Sequence, residues 1–341
     1  MTRIPKEVSI SVITEQPEPS LQIKQHVIRR AKSWWAFLST CARVRKLTQA
    51  SDVIHVFDGW PFAVYGLSAV LGTKKKLIIS GIGTYSVAPL KQRLKGSLLR
   101  YAYGRADAIP CISAFTAMQI RHECPRAPIS VIKMGSTSLP LVSESQVAAW
   151  RVALGIPESA YPVVITVGEI KERKGQLDTL HGIKYALQKI PNAQYLIVGS
   201  DRDAAYIQKI RSSAERFGMT KQVHFIHTAR TDADLACLYS LSHIVALNSN
   251  NVASHFEGFG LTILEGAGFG LPSIGSRDCG IEDAILDGTS GIMTTQHSHT
   301  EIGEALKRIA SSYENFQSGA HMWYSAFSWE KTVAAYLTLY G

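Results

Sequence analysis

The sequence predicts an α/β protein of two domains, each built on a doubly wound parallel sheet. Three observations carry this. The chain has 341 residues, too many for one ordinary compact domain. Short apolar runs alternate with helical stretches along most of its length, the rhythm of right-handed βαβ units. A joint marked by Pro140, Gly155, Pro157 and Pro162, residues 136–162, separates two such series. The expected domains are residues 1–150 and 151–325, with 326–341 as a closing helix.

In the first series "VSISVITE", "DVIHVFDG", "KKLIISGIG" and "DAIPCIS" are the candidate strands. Between them, "SLQIKQHVIRRAKSWWAFLSTCARVRKLTQ" (20–49) has helical propensity and no internal proline. The second series is more regular. "YPVVITVG" (161–168) reads as a buried strand and "ERKGQLDTLHGIKYALQKI" as a helix. "AQYLIVGS", "QVHFIHT", "HIVALNS" and "LPSIGS" continue as strands, with helices after Asp201 and through "ADLACLYSL".

With 46% hydrophobic and 18% charged residues, the composition is that of a globular protein with large cores. No apolar run reaches the ~18–20 residues that span a bilayer, and the N-terminus lacks a signal-like apolar stretch. Five scattered cysteines without a CxxC pair suggest a reduced, cytoplasmic chain and argue against a zinc site. The charge is uneven. Residues 1–140 hold 20 Lys and Arg against 7 Asp and Glu, a balance of +13; the rest holds 16 against 20, or −4. A basic first half implies an anionic partner, either nucleic acid or a lipid surface. No helix-turn-helix, zinc finger or RNP element favours nucleic acid.

Ligands of open α/β sheets bind beyond the carboxyl ends of the strands, and two loops there are unusual. "VGEIKERKG" (167–175) joins Gly168 to Lys171, Arg173 and Lys174 ahead of a helix, a setting for an anion. "HFEGFGLTILEGAGFGLPSIGS" (255–276) sets Glu257 in a glycine-rich loop and Glu265 in a short apolar helix. The backbone N–H groups of Gly258, Phe259, Gly260, Leu261 and Thr262 would form an anion cradle, and flanking carboxylates suit sugar hydroxyls. Taken singly, either loop could be a plain solvated connection.

Together these residues resemble the retaining nucleotide-sugar glycosyltransferases of the GT-B fold, specifically the group 1 family. Its E-x(7)-E hallmark is matched by Glu257 and Glu265 within "EGFGLTILEG", and its "RKG" loop by Arg173, Lys174 and Gly175. "GIEDAILDGTSGI" and the closing "FSWEKTVAAYLTLYG" continue the pattern. In the first half "DVIHVFDGWP", "GTYSVAPL", "RADAIPCISAFTAMQI" and "SVIKMGSTS" follow the family order. The resemblance covers about residues 50–341. It implies two Rossmann-like domains facing a central cleft, with the last helix crossing back to the first domain.

It further implies a nucleoside-diphosphate-sugar donor, a glycan or lipid-linked acceptor, and retention by front-face substitution. Glu257 would face the transferred sugar and Glu265 the ribose hydroxyls. Lys174, aided by Arg173 and the amides near Gly260, would neutralise the diphosphate, so no metal or other cofactor is expected. Asp58, Gly83, Thr84 and Tyr85 would sit where the first domain faces the cleft, each able to touch acceptor or donor, with Asp58 equally well a turn residue. The chain departs from the family at Glu169, where an arginine is usual, at Ile82, where a histidine is usual, and at its opening, where a βα unit is absent. These departures keep alive a donor-binding protein without turnover; a nucleotide-sugar epimerase is the other alternative. Basic residues beside Trp34, Trp35 and Phe37 in 20–49, with five more cations in 91–105, suggest docking on the anionic inner face of the cell membrane.

Overall fold

The computed structural model describes residues 8–136, 138–229 and 231–341. The expected opening residues 1–7, and Thr137 of "SVIKMGSTS", lie outside the described residues. The chain forms two compact units, Met1–Met134 with Trp329–Gly341, and Gly135–Ser328.

The first unit begins with β1 (Ser11–Thr14) and β2 (Lys24–Val27), followed by α1 (Trp34–Leu47). Next come β3 (Val53–Phe57), α2 (Phe62–Val70), β4 (Lys76–Ser80) and the short α3 (Thr84–Val87). α4 (Arg93–Arg105), β5 (Ile109–Cys111), α5 (Ala114–Glu123) and β6 (Ile129–Val131) complete its main run. β1 pairs with β2, β3 with β4 and β5 with β6, all in parallel, and a bridge from Ile78 to Ala108 ties the second pair to the third. β3 and β4 lie in register from Val53–Lys76 to Phe57–Ser80.

The helix expected over 20–49 is confined to its second half. Lys24–Val27 is drawn into parallel pairing with β1, which satisfies backbone groups that an isolated helix start would leave open. Helix α1 then starts where Ser33 Oγ accepts from Ala36 N, a side-chain cap.

The second unit opens with α6 (Glu144–Leu154), whose N-terminus carries a Ser143–Gln146 capping box. It continues through β7 (Val163–Val167), α7 (Gln176–Ala186), β8 (Gln194–Val198), α8 (Ala204–Arg216) and β9 (Val223–Ile226). Then follow α9 (Asp232–Leu241), β10 (Ile244–Leu247), α10 (Leu261–Gly268), β11 (Ser273–Ser276), β12 (Gly291–Thr294), α11 (His299–Ser311) and α12 (Tyr313–Tyr324). Its described strands make one parallel sheet in the order β12-β11-β10-β7-β8-β9. The chain winds outward from β7 to β9, returns to the middle as β10 and winds the other way. β7, β8 and β10 are buried along nearly their whole length and mostly apolar, because helices cover both faces of such a sheet. Ile183, Tyr195, Ile197, Ile302 and Leu306 meet in its core.

Two further expectations are corrected. The division falls at Met134/Gly135, ahead of residue 150, since α6 packs on α9 of the second unit. The helix read from Glu172 is interrupted: Glu172–Lys174 is a 3-10 turn, Gly175 takes the left-handed φ of 67°, and α7 begins at Gln176. A Cβ at Gly175 would lie 1.8 Å from the Asn248 carbonyl oxygen, so the loops after β7 and β10 touch there backbone to backbone. The last helix, α13 (Trp329–Tyr340), belongs to the first unit. His55 on β3 bonds Tyr340 Oη through Nδ1 (2.7 Å) and Ser80 Oγ through Nε2 (2.8 Å), and Tyr336 Oη reaches the same Ser80 hydroxyl.

Candidate functional site

In a sheet wound outward from its middle, the loops leaving the two central strands diverge and leave a crevice at their carboxyl ends. Here those strands are β7 and β10. The loop after β7 carries Arg173 and Lys174; the loop after β10 carries Asn248–Gly260. Arg173 Nη1 donates to Glu257 Oε2 at 2.9 Å, and Lys174 Nζ donates to the same oxygen at 2.7 Å. Ser249 Oγ approaches it at 3.4 Å. All three charged side chains are largely shielded, between 14% and 19% exposed. Burial works to raise the Glu257 pKa, but Lys174 and Arg173 outweigh it and hold the carboxyl below the usual glutamate range. Two cations facing one carboxylate leave about one uncompensated positive charge.

Glycines make this approach possible. Gly168 has φ 141°, and the Lys174 aliphatic chain passes 3.6 Å from where its Cβ would be. A Cβ at Gly280 would strike the Gly258 carbonyl at 2.0 Å, and Gly280 N donates to Glu257 O, which fastens the loop from behind. Gly260, at φ 91°, turns the chain into α10, so the amides of Leu261 and Thr262 lie in a first helical turn that lacks intrahelical acceptors. Phe259 is buried and anchors the turn against Phe327. Thr262 Oγ1 is shielded from solvent without a hydrogen-bond partner among the described residues.

Two expected donor residues stand apart from the ion cluster. Lys171 is paired with Glu169, both side chains partly exposed, so it does not join Arg173 and Lys174. Glu265, in α10, accepts from Tyr239 Oη of α9 at 3.0 Å, and the same hydroxyl lies 3.2 Å from Thr262 O. Burial raises the Glu265 pKa; the Tyr239 hydroxyl opposes this and Asp232 adds to it.

In the first unit, Asp58 sits at the end of β3 with φ 83° and turns its carboxylate into its own loop. Oδ1 accepts from Gly59 N at 2.8 Å and from Ser86 Oγ at 2.5 Å, and burial raises its pKa. Gly83 precedes α3, Thr84 opens it, and the Tyr85 ring is exposed. Ile82 N donates to Ser86 Oγ. Asp58, Ile82 and Gly83–Tyr85 are thus one hydrogen-bonded loop pair.

Sequence reasoning passed over the polar run "NSNN" after β10. Asn250 N donates to Arg173 O at 2.8 Å, and Asn250 Nδ2 donates to Asp178 in the first turn of α7. Asp178 also receives His299 Nε2 at 2.9 Å, from the first turn of α11. These residues hold the backbone of the cationic loop. An unbroken polar run directly after a buried strand was the available signal.

Comparison with known proteins follows the same division. A family profile described as "Glycosyl transferases group 1" matches residues 148–321, just over half of the chain. A second, "Glycosyltransferase Family 4", matches residues 6–135. Among curated proteins, the D-inositol 3-phosphate glycosyltransferase of Salinispora arenicola is 30% identical over 212 residues, 58% of this chain and 45% of its own length. That of Streptomyces bingchenggensis is 27% identical over 202 residues, 57% of this chain and 43% of its own. The chain therefore spans somewhat under half the length of these relatives. Among solved structures, a glycosyltransferase from Rickettsia africae superposes with a TM-score of 0.82 at 16% identity, covering 98% of this chain and 90% of that one. Anabaena HepE in complex with UDP gives 0.80 at 16% identity, covering 97% and 100%. These likenesses establish the two-domain GT-B architecture.

Proposed function

The chain belongs to the group 1 glycosyltransferases, and from that premise we propose that it transfers a sugar, with retention, from a nucleoside diphosphate to a hydroxyl of a glycan or lipid-linked acceptor. The observation that carries this reading is the shielded Glu257–Arg173–Lys174 cluster at the sheet's central crevice. Its surplus positive charge suits a diphosphate, and the first-turn amides of Leu261 and Thr262 supply further donors beside it. Thr262 Oγ1, shielded and unpartnered, is a group a ligand oxygen would satisfy.

In this mechanism the bond between the anomeric carbon and the β-phosphate oxygen breaks, and its electron pair goes to the phosphate. Lys174 and Arg173 stabilise the charge that develops there. The acceptor oxygen bonds to the same face of the anomeric carbon, and its proton passes to the departing phosphate oxygen. Glu257 aligns both cations and faces the sugar; Glu265, released from Tyr239, takes the ribose hydroxyls. The reaction needs no metal when fixed cations and amides carry the charge. Asp58, Gly83, Thr84 and Tyr85 form the proposed acceptor side. Synthesis of cell-surface polysaccharide or glycolipid, at the cytoplasmic face of a membrane, is the setting this reading implies. A phosphorylated polyol, the acceptor named for the curated relatives, belongs in the acceptor panel. Donor binding without turnover is the second reading, favoured by Ile82, which gives the acceptor loop an apolar side chain.

The test is thermal unfolding with a panel of UDP-, GDP- and ADP-sugars, followed by assay of released nucleotide. One donor is expected to stabilise the fold by about 2.7 kcal/mol at a hundredfold excess over its Kd, and to be turned over with acceptor. Stabilisation without release supports the second reading. No stabilisation by any donor refutes both.

A further inference from the structure

Asp178, in the first turn of α7, has a side chain only 13% exposed, and its two oxygens serve different partners. Oδ1 accepts from His299 Nε2 at 2.9 Å. Oδ2 accepts from Asn250 Nδ2, and His297 Nδ1 stands 3.5 Å from that same oxygen, just beyond ordinary hydrogen-bond length. Asn250 N donates to Arg173 O at 2.8 Å, so the carboxylate reaches the backbone of the cationic loop through one residue. Asn250 is buried, and its Oδ1 has no partner among the described residues. With that arm unpartnered, the amide side chain depends on Asp178 for its place.

We propose that Asp178 and His297 form a proton-operated latch on the loop that carries Arg173 and Lys174. With His297 neutral the loop is held; with His297 protonated it is released. The effect on donor binding rests on the diphosphate role proposed for those two cations. His297 has a left-handed φ of 62°, uncommon outside glycine, and its side chain is 65% exposed, open to protons from solvent. Its segment is fixed beside the loop after β10. Gln296 Oε1 accepts from Asn251 N at 2.7 Å, Gln296 Nε2 donates to Arg277 O at 2.8 Å, and Glu301 Oε2 accepts from Thr295 N at 2.7 Å. A neutral imidazole at 3.5 Å leaves Oδ2 to the Asn250 amide. An imidazolium offers the same oxygen a charge-assisted bond, about twice as strong as a neutral one, and draws the carboxylate away from Asn250.

The neighbouring groups do not supply this competition. His299 already holds Oδ1, and a proton on its ring only strengthens that bond. The His181 ring lies 4.4 Å from the His299 ring; burial, His299 and Arg216 of α8 hold its imidazole below the ordinary value against the pull of Asp178. On α11, the bond from Thr295 N, aided by Arg277, keeps Glu301 below the usual glutamate range. Burial raises the phenols of Tyr195 and Tyr206, which stay uncharged. His297 alone of these shares an oxygen with Asn250.

The test is hydrogen exchange of the Asn250 amide in the unliganded full chain at about pH 7.5 and about pH 5.5, which bracket the histidine range, corrected for the intrinsic rate. Calorimetry with inorganic pyrophosphate accompanies it at both values. In wild type, protection of the amide and pyrophosphate affinity are each expected to fall about tenfold at the lower pH. His297→Asn, neutral and tolerant of the left-handed backbone, should match wild type at the higher pH and lose less than about twofold at the lower. Comparing the two proteins at each pH cancels the titration of pyrophosphate and of His55, common to both. Asp178→Asn, checked for folding by circular dichroism, should show low protection at both values. No fall in wild type, or equal falls in wild type and His297→Asn, would overturn the proposal. Protection that behaves as expected while pyrophosphate binds at neither pH supports the latch and refutes the diphosphate role of the loop.

Discussion

Glu257 and Glu265 belong to the same eight-residue spacing and have opposite electrostatics. For Glu257, two cations hold the folded pKa below the ordinary 4.5, so its stabilisation is fully present above that value and is lost as pH falls through the lowered one. Glu257→Gln leaves Arg173 and Lys174 facing each other without their anion. We expect a loss of about 3 kcal/mol at neutral pH, a gap from wild type that closes only as pH falls below 4.5 and through the lowered carboxyl pKa, and turnover cut more than donor binding. Denaturant unfolding across pH, with paired kcat and KM, checks this. Glu265 is the reverse case. Burial raises its folded pKa, so ionisation costs nothing below 4.5 and costs the full penalty above the raised value. Glu265→Gln should therefore raise the melting temperature of the unliganded protein at pH 7 and leave it unchanged near pH 4. Glu265→Ala should weaken donor binding by about 1–3 kcal/mol, measured by calorimetry. A carboxylate that costs stability when empty is what a binding role would leave behind.

At the scale of the element, the position of the cationic loop depends on Gly175. The residue is left-handed, and its missing side chain lets the loop after β7 touch the one after β10. Gly175→Ala should cost roughly 2–4 kcal/mol, from the left-handed strain and the clash with Asn248 O together. Gly155→Ala is the control: its φ is also positive, at 64°, but nothing lies near its would-be Cβ. It should cost only about 1 kcal/mol. Equal losses in the two variants, measured in urea, would show that the contact with Asn248 does not matter. The glycine was legible as a family signature within "RKG". The interruption of the helix was not, because helical propensity runs through "ERKGQLDTL" and only the neighbouring strand's loop forbids continuing it.

At the scale of the whole molecule, the chain leaves its first unit at Met134 and returns to it at Trp329. His55 records that return. Buried between Tyr340 and Ser80, its pKa is pulled down to about 4 from an ordinary 6.5. The folded state thus keeps His55 neutral while the unfolded chain protonates it. Stability is full above pH 6.5 and falls as pH drops toward 4, by up to about 3 kcal/mol. Thermal unfolding of wild type should show this decline, and His55→Gln should flatten it. The sequence by itself determined the alternation of strand and helix, the basic bias of the first half, and the loops that hold Glu257 and Lys174. Those properties are local: period, propensity and motif are fixed within a few residues of chain. Only the tertiary structure decided that Arg173 meets a carboxylate 84 positions away, that Lys171 is left with Glu169, and that Asn250 holds the Arg173 backbone. Those pairings follow from β10 returning to lie beside β7, and strand order is set by how the whole sheet buries its faces.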